Sequence, residues 1–183
     1  EKMTIYLFGV SNVGKTTAGK LLAYKLDYVF YDLDEEVKSH YAITLEEFVN
    51  TGTLEERDQR RGEILQMIVG DCRDKVIAVT PITYTEYIKK FLRRKGVLAI
   101  ELYDSPENIF DRLVFSDEND IVYHDDDYKN ARKSYYLREI REDIIHYERQ
   151  WKEIVRNKFD MKGEKPAAVV ERLIQEYNLN KKE

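Results

Sequence analysis

Residues 9–17, GVSNVGKTT, carry the strongest chemical signal in this sequence, because they fit the pattern G-x-x-x-x-G-K-[ST]. In such a loop the glycines let the backbone amides turn inward and form an anion-binding nest. The amino terminus of the following helix adds partial positive charge. Lys15 then reaches the β- and γ-phosphates, and the Thr16 hydroxyl can hold Mg²⁺. The loop predicts a nucleoside triphosphate site, with ATP and Mg²⁺ as expected ligands and these contacting residues: Gly9, Asn12, Val13, Gly14, Lys15, Thr16 and Thr17.

Two aspartates, Asp32 and Asp34, are the candidate acids for this site, because they follow the second apolar segment. The carboxyl ends of parallel strands face the ligand crevice of an open sheet, so Asp32 is the better support for magnesium. The third apolar segment ends in Thr80-Pro81 and supplies no carboxylate. Asp34 faces the same way as Asp32 if the strand geometry persists. The alternative is that both are solvated acids that cap a helix.

The elements that must position these residues follow from alternating apolar and helical patterns. Two S/T-x-x-E capping boxes, Thr44 with Glu47 and Thr53 with Glu56, mark helix starts. Strands are predicted at 3–9, 28–31, 76–80, 97–103 and 158–161, and helices at 14–26, 53–70, 85–94, from 105, 131–156 and 166–177. This alternation predicts an α/β fold, a three-layer α/β/α architecture with a mostly parallel five-stranded sheet. Residues 1–183 contain no linker or repeat and are expected to form one domain.

The composition limits the classes of partner that we expect this protein to bind. A formal net charge of −5 over 183 residues disfavours nucleic-acid and anionic-membrane binding, which need a basic face. No apolar run approaches the roughly 20 residues of a membrane span. The single cysteine excludes an intramolecular disulfide. We therefore expect a cytoplasmic protein, monomeric or weakly homo-oligomeric, that acts on a small molecule.

Residues 113–131 are acidic and contain no arginine and a single lysine, Lys129, near their end. Like charges repel one another and cannot pack in a core, so we predict a mobile surface lid over this segment. The alternative is a solvated loop with no role in function.

Four segments together resemble the shikimate kinase family of phosphate-loop kinases, which have the nucleoside-monophosphate-kinase-like fold. They are the GVSNVGKTT loop, YDLDEE (31–36), ITLEEFVNTGTLEER (43–57) and LYDSPENIFDRL (102–113). The resemblance extends from Ile5 to Tyr177 and is close in the first third of the chain. On the nucleotide side it implies that Asp32 supports the metal and that Arg112 packs on adenine.

On the acceptor side the resemblance implies four further roles. Asp34 would accept hydrogen bonds from substrate hydroxyls, and Arg57 would bind the substrate carboxylate. Thr80 would stand at the turn that approaches the substrate. Arg149, with Arg141 as its rival, would be a second carboxylate-binding arginine. Neighbouring acids on the same helices offer Arg57 and Arg149 ordinary surface ion pairs as an alternative.

The chain departs from the family pattern at two places. Thr80-Pro81-Ile82 stands where the family has a Gly-Gly-Gly turn, and its proline removes an amide donor. The acidic segment stands where the family lid carries an arginine, at a position near Asn119. Arg132 or Lys133, just beyond the lid, are the candidate substitutes.

The pattern as a whole predicts an ATP-dependent small-molecule kinase in which Lys15, Asp34 and Arg57 are catalytic. It would transfer the γ-phosphate of ATP to a hydroxyl of shikimate or a similar anionic hydroxy acid. A kinase for a polyol, nucleoside or nucleotide is the first alternative. A nucleotide-binding regulatory protein that has lost phosphotransfer is the second.

Overall fold

The computed structural model of the protein describes residues 2–180. Its strands are β1 (Thr4–Phe8), β2 (Val29–Asp32), β3 (Lys75–Ala78), β4 (Val97–Tyr103), β5 (Phe115–Ser116), β6 (Val122–Tyr123) and β7 (Asn157–Asp160). Its helices are α1 (Lys15–Leu26), α2 (Leu33–Tyr41), α3 (Leu45–Val49), α4 (Leu54–Val69), α5 (Lys89–Leu92), α6 (Pro106–Arg112), α7 (Asp126–Ala131), α8 (Lys133–Trp151) and α9 (Pro166–Glu176). Within the described range, no helix is both long enough and apolar enough to cross a membrane.

Five strands form one sheet in the order β2-β3-β1-β4-β7, and every neighbouring pair is parallel. The predicted α/β class and five-stranded sheet are therefore confirmed. The register places Leu7, Ala78 and Asp32 side by side across β1, β3 and β2. The loops that follow these three strands consequently meet at one edge of the sheet, where the candidate residues lie.

Alternating side chains of the central strand β1 divide the interior into two cores. Ile5 and Leu7 pack with apolar residues of α1, α6, α8 and α9. Tyr6 and Phe8 pack on the opposite face with residues of α2, α3, α4 and α5. Because successive side chains of a strand point to opposite faces, one buried strand supplies both cores. This arrangement produces the predicted three layers.

Both predicted capping boxes are present. The Thr44 hydroxyl accepts from the amide of Glu47, and the Thr53 hydroxyl accepts from the amide of Glu56. In return, the carboxylate of each glutamate accepts from the backbone amide of its threonine. Each box satisfies two amide donors that a helix start leaves free, which fixes where α3 and α4 begin.

The predictions for two helices were wrong in detail. Residues 85–94 form a 3-10 turn (Thr85–Tyr87) and the four-residue α5 instead of one helix. The long helix predicted at 131–156 begins at Lys133 and ends at Trp151, and α7 precedes it. The acidic segment contains the β5–β6 hairpin and α7, because Asp117 and Asp125 accept backbone hydrogen bonds that close a turn and cap a helix.

Candidate active site

The phosphate loop joins β1 to α1 with its backbone in the conformation that an anion site requires. Gly14 has φ 108°, a region that side-chain-bearing residues rarely adopt. A Cβ on Gly9 would lie 2.7 Å from Cγ1 of Val13 and 2.8 Å from the carbonyl oxygen of Leu102. In the described chain no side chain caps α1, so its first amides remain available to a phosphate.

Lys15 lies across this loop. Its Nζ donates to the carbonyl oxygens of Gly9 at 2.5 Å and of Val10 at 3.0 Å. Desolvation lowers the pKa of Lys15 to about 8, while the carboxylates of Asp34 and Asp32 oppose that shift. An ammonium whose partners are only neutral carbonyls is poorly compensated, so a phosphate in the loop would be a favourable new partner.

Asp32 caps α2 and also contacts Thr16, the other candidate metal ligand. Its Oδ2 accepts from the Thr16 hydroxyl at 2.5 Å, and its Oδ1 caps α2 by accepting from the amides of Asp34 and Glu35. A hydroxyl and a carboxylate in contact beside a phosphate site are the oxygen ligands that Mg²⁺ takes when its remaining ligands are water and phosphate. The donor set of Thr16 and Asp32 therefore fits this ion.

Asp34 stands beside the loop that follows β3. Its Oδ1 accepts from the Thr80 hydroxyl at 2.7 Å. Burial raises the pKa of Asp34, and the hydrogen bond from Thr80 acts against that rise. The strand alternation expected to orient Asp34 does not apply, because α2 begins at Leu33 and Asp34 belongs to its first turn. The helix start directs the side chain toward Thr80.

A cavity of about 630 Å³ unites most of the predicted residues. Asp34, Thr80 and Pro81 lie along one part of its wall, and Arg112, Met161 and Glu164 along another, with the phosphate loop among them. The predicted site residues in its lining are Asn12, Gly14, Lys15, Thr16, Thr17, Asp32, Asp34, Thr80 and Arg112. Gly9 and Val13 are buried parts of the loop itself.

The other predicted arginines lie outside this lining. Arg57 donates to the carbonyl oxygens of Thr51 at 3.2 Å and Gly52 at 2.9 Å, at the start of α4. Arg149 is exposed on α8, and Arg141 on the same helix forms an ion pair with Glu107 at 3.3 Å. A direct role for these arginines would require their side chains to leave the observed positions.

Sequence reasoning missed a buried ion pair on α4. Asp58 is fully buried and accepts from Arg61 at 2.8 Å and from the amides of Thr83 at 3.1 Å and Tyr84 at 3.0 Å. The alternative of surface ion pairs on this helix does not hold for Asp58 and Arg61, which are 0% and 6% exposed. Their i,i+3 spacing was a visible signal, but their burial depends on the side of α4 that packs inward. The pair holds the loop after Pro81 against α4.

The β5–β6 hairpin in the acidic segment contacts α2 and α3. Oδ2 of Asp120 accepts from the Leu45 amide at 3.0 Å and lies 3.4 Å from Nζ of Lys38. Val114 and Val122 are the side chains that residues 113–131, all within the described chain, contribute to the cavity lining. The hairpin therefore places apolar contacts at the cavity and a charged contact on α2.

Comparisons with known proteins give one consistent result. The family model described as shikimate kinase matches residues 11–178. A curated relative, shikimate kinase 2 of Photorhabdus laumondii, is 28% identical over 116 residues, covering 63% of this chain and 65% of its own length. Across the curated relatives that match, the aligned part spans 65% or less of their length.

Solved structures show the same fold. The shikimate kinase of Bacteroides thetaiotaomicron superposes with a TM-score of 0.77 at 22% identity, covering 97% of this chain and 99% of that one. The shikimate kinase of Acinetobacter baumannii, solved in complex with shikimate, gives 0.74 at 21% identity, with 97% and 93% coverage. Because the family model spans nearly the whole chain, this protein belongs to the shikimate kinase family.

Proposed function

We propose that this protein transfers the γ-phosphate of ATP to a hydroxyl of shikimate or a similar small hydroxy acid. One observation carries the proposal: a single cavity holds the phosphate loop and the partly buried Asp34. Phosphoryl transfer depends chiefly on positioning the reactants and neutralising their charge, and the residues that line this cavity are suited to both. The family and the shikimate in the Acinetobacter structure support the choice of acceptor.

The nucleotide would be held by the loop amides and Lys15, with Arg112 beside the base. When bound, Mg²⁺ neutralises negative charge on the β- and γ-phosphates, and Thr16 and Asp32 are the side chains that would hold it. Lys15 would exchange its carbonyl partners for phosphate oxygens. The amides at the start of α1 would donate hydrogen bonds to the remaining phosphate oxygens.

Asp34 would accept the hydrogen bond of the reacting hydroxyl and take its proton. Its raised pKa makes this carboxylate a stronger base than an exposed one. Thr80 would hold the carboxylate in place through its 2.7 Å hydrogen bond. Arg57 and Arg149 would turn inward to bind the carboxylate of the acceptor, for which the planar guanidinium is suited.

The test is an ATP-consumption assay with shikimate against a panel of hydroxy acids, sugars, polyols, nucleosides and nucleoside monophosphates. Shikimate or a close hydroxy acid should give the highest kcat/KM. Asp34→Asn should lower kcat by about 10²–10⁴-fold while MgATP still binds. If a nucleoside or polyol were the best substrate, the proposed acceptor would be wrong, but the assignment as a phosphotransferase would stand.

A second candidate is a nucleotide-binding module without phosphotransfer. One feature of the cavity favours this candidate. Of residues 113–131, only Val114 and Val122 line the cavity, so this segment brings no cationic side chain to its wall. MgATP binding without turnover on any acceptor in the panel would select this candidate. The cytoplasmic location and the monomeric or weakly oligomeric state expected from the sequence accompany either proposal, and cell fractionation and light scattering test them.

A further inference from the structure

Asp104, just after the end of β4, is a buried carboxylate with donors on both oxygens. Its side chain is 2% exposed. Oδ1 accepts from the Ser105 amide at 2.8 Å and from Nδ2 of Asn108 at 2.7 Å. Oδ2 accepts from Arg112 at 2.8 Å and from the Gly163 amide at 2.9 Å. Burial alone would raise the pKa of Asp104, but these hydrogen bonds outweigh it and hold the pKa below its usual value.

These four donors belong to two separate chain segments, each of which contributes at least one residue to the cavity lining. Ser105, Asn108 and Arg112 belong to α6 and its cap, whereas Gly163 belongs to the loop between β7 and α9. That loop contributes Met161 and Glu164 to the lining. A Cβ on Gly163 would lie 2.8 Å from Nδ2 of Asn108, so the loop and α6 are in close contact. One carboxylate therefore joins α6 to the loop before α9 beside the cavity.

Arg112 extends this link to the phosphate loop. Its NH1 bonds to Asp104 and also donates to the carbonyl oxygen of Val13 at 3.3 Å. Its side chain remains 25% exposed and lines the cavity. A flat guanidinium held in this way offers a face on which an aromatic base can stack. Without a fixed partner, a long arginine side chain would lose conformational freedom on binding, and this would weaken affinity.

We infer that Asp104 is a positioning residue for the nucleotide base, acting by fixing Arg112 and the 161–165 loop before ATP binds. This inference rests on the proposed function, because it presumes that a nucleotide occupies the cavity. Asp104 does not line the cavity, so a phosphate or an acceptor bound there would not contact its carboxylate. Its effect is therefore confined to ligands that carry a base.

The test compares the binding of MgATP and of magnesium tripolyphosphate, which has no base, by calorimetry. Asp104→Asn keeps the size of the side chain but places an amide donor opposite existing donors. It should weaken MgATP binding about ten-fold and leave tripolyphosphate binding unchanged. Arg112→Ala should cause a similar selective loss, and the double variant should be no weaker than the weaker single variant, since both act through one contact.

A measurement on the wild-type protein covers the case in which Asp104→Asn does not fold. Carbon relaxation at the guanidinium carbons, without nucleotide, should show Arg112 as rigid as the buried Arg61, with the exposed Arg149 as the mobile reference. Arg112 as mobile as Arg149 would overturn the inference. The inference would also be overturned if a folded Asp104→Asn protein lost as much tripolyphosphate affinity as MgATP affinity. Unchanged MgATP binding in that variant would overturn it as well. If wild-type protein binds no MgATP, the proposed function fails as well.

Discussion

The hydroxyl of Thr80 donates a 2.7 Å hydrogen bond to Oδ1 of Asp34, which links the loop after β3 to the first turn of α2. The turn at this place carries a proline and side chains where the family pattern has glycines. The Asp58–Arg61 pair holds the rest of that loop through the amides of Thr83 and Tyr84. The altered turn is therefore anchored at both ends, and it supplies a hydroxyl to the candidate base.

Thr80→Val should shift the acid limb of the kcat–pH profile. The hydrogen bond from Thr80 lowers the pKa of Asp34, so its loss raises that pKa further. Less of the carboxylate is then ionised at acidic pH, and the limb moves upward by about one pH unit. Thr83→Val, beside the same loop but without contact to Asp34, is the control. An unshifted profile in Thr80→Val would contradict this link.

Nucleotide affinity should depend on the charge of Lys15. Because its pKa is lowered to about 8 in the empty site, the ammonium is lost above that pH. MgATP affinity should fall by up to roughly ten-fold for each pH unit above this value, and binding near it should take up a proton. Calorimetry in two buffers of different ionisation enthalpy measures the uptake. Lys15→Met should bind weakly and without this proton uptake; uptake that persists in the variant would assign it elsewhere.

Removing the buried counter-charge of Arg61 should destabilise the fold. Asp58→Asn leaves the guanidinium buried without a carboxylate, and the free energy of unfolding should fall by about 3–5 kcal/mol. Urea denaturation measures the change. Glu148→Gln, which breaks the exposed pair with Lys158, should cost less than about 1 kcal/mol. Equal losses in the two variants would show that Asp58 is not a structural anchor.

Hydrogen exchange should be fastest over residues 113–131, which we still predict to be the most mobile segment. Asp120→Gly removes the contacts to Leu45 and Lys38 and suits the positive φ of 62° at this position. Exchange at Val122 and Tyr123 should become about ten-fold faster. Glu118→Gly, in the same turn, controls for the added glycine. Strand-like protection of this segment in the wild-type protein would contradict the mobile lid.

The arginines predicted to bind the acceptor can be separated by substitution. Arg57→Ala and Arg149→Ala should each raise the KM for shikimate about ten-fold or more, because each removes a charge-assisted contact. Arg141→Ala, which breaks only the exposed pair with Glu107, should leave that KM unchanged. If Arg141→Ala raised the KM for shikimate and Arg149→Ala left it unchanged, Arg141 would be the arginine that binds the acceptor carboxylate.

Local patterns made much of the fold predictable. The strands of the sheet, both capping boxes and the phosphate loop follow from residues that lie close together in the chain, so their conformation depends on short-range sterics and hydrogen bonds. The prediction of one helix over 85–94 was wrong because two short turns formed there. For the acidic segment the sequence predicted no hairpin or helix. There, single aspartates such as Asp117 and Asp125 bind nearby amides, and charge patterning does not reveal this.

The sequence by itself determined the phosphate loop, the Asp32–Asp34 pair and the individual strands that present them, because each depends on neighbours along the chain. The tertiary structure alone decided that Asp58 and Arg61 are buried, that Asp104 holds Arg112, and that Arg57 faces backbone carbonyls. Gly163 lies 59 positions beyond Asp104, and the amides of Thr83 and Tyr84 lie 25 and 26 beyond Asp58. Such partners meet only after the helices pack on the sheet, so no local spacing encodes them.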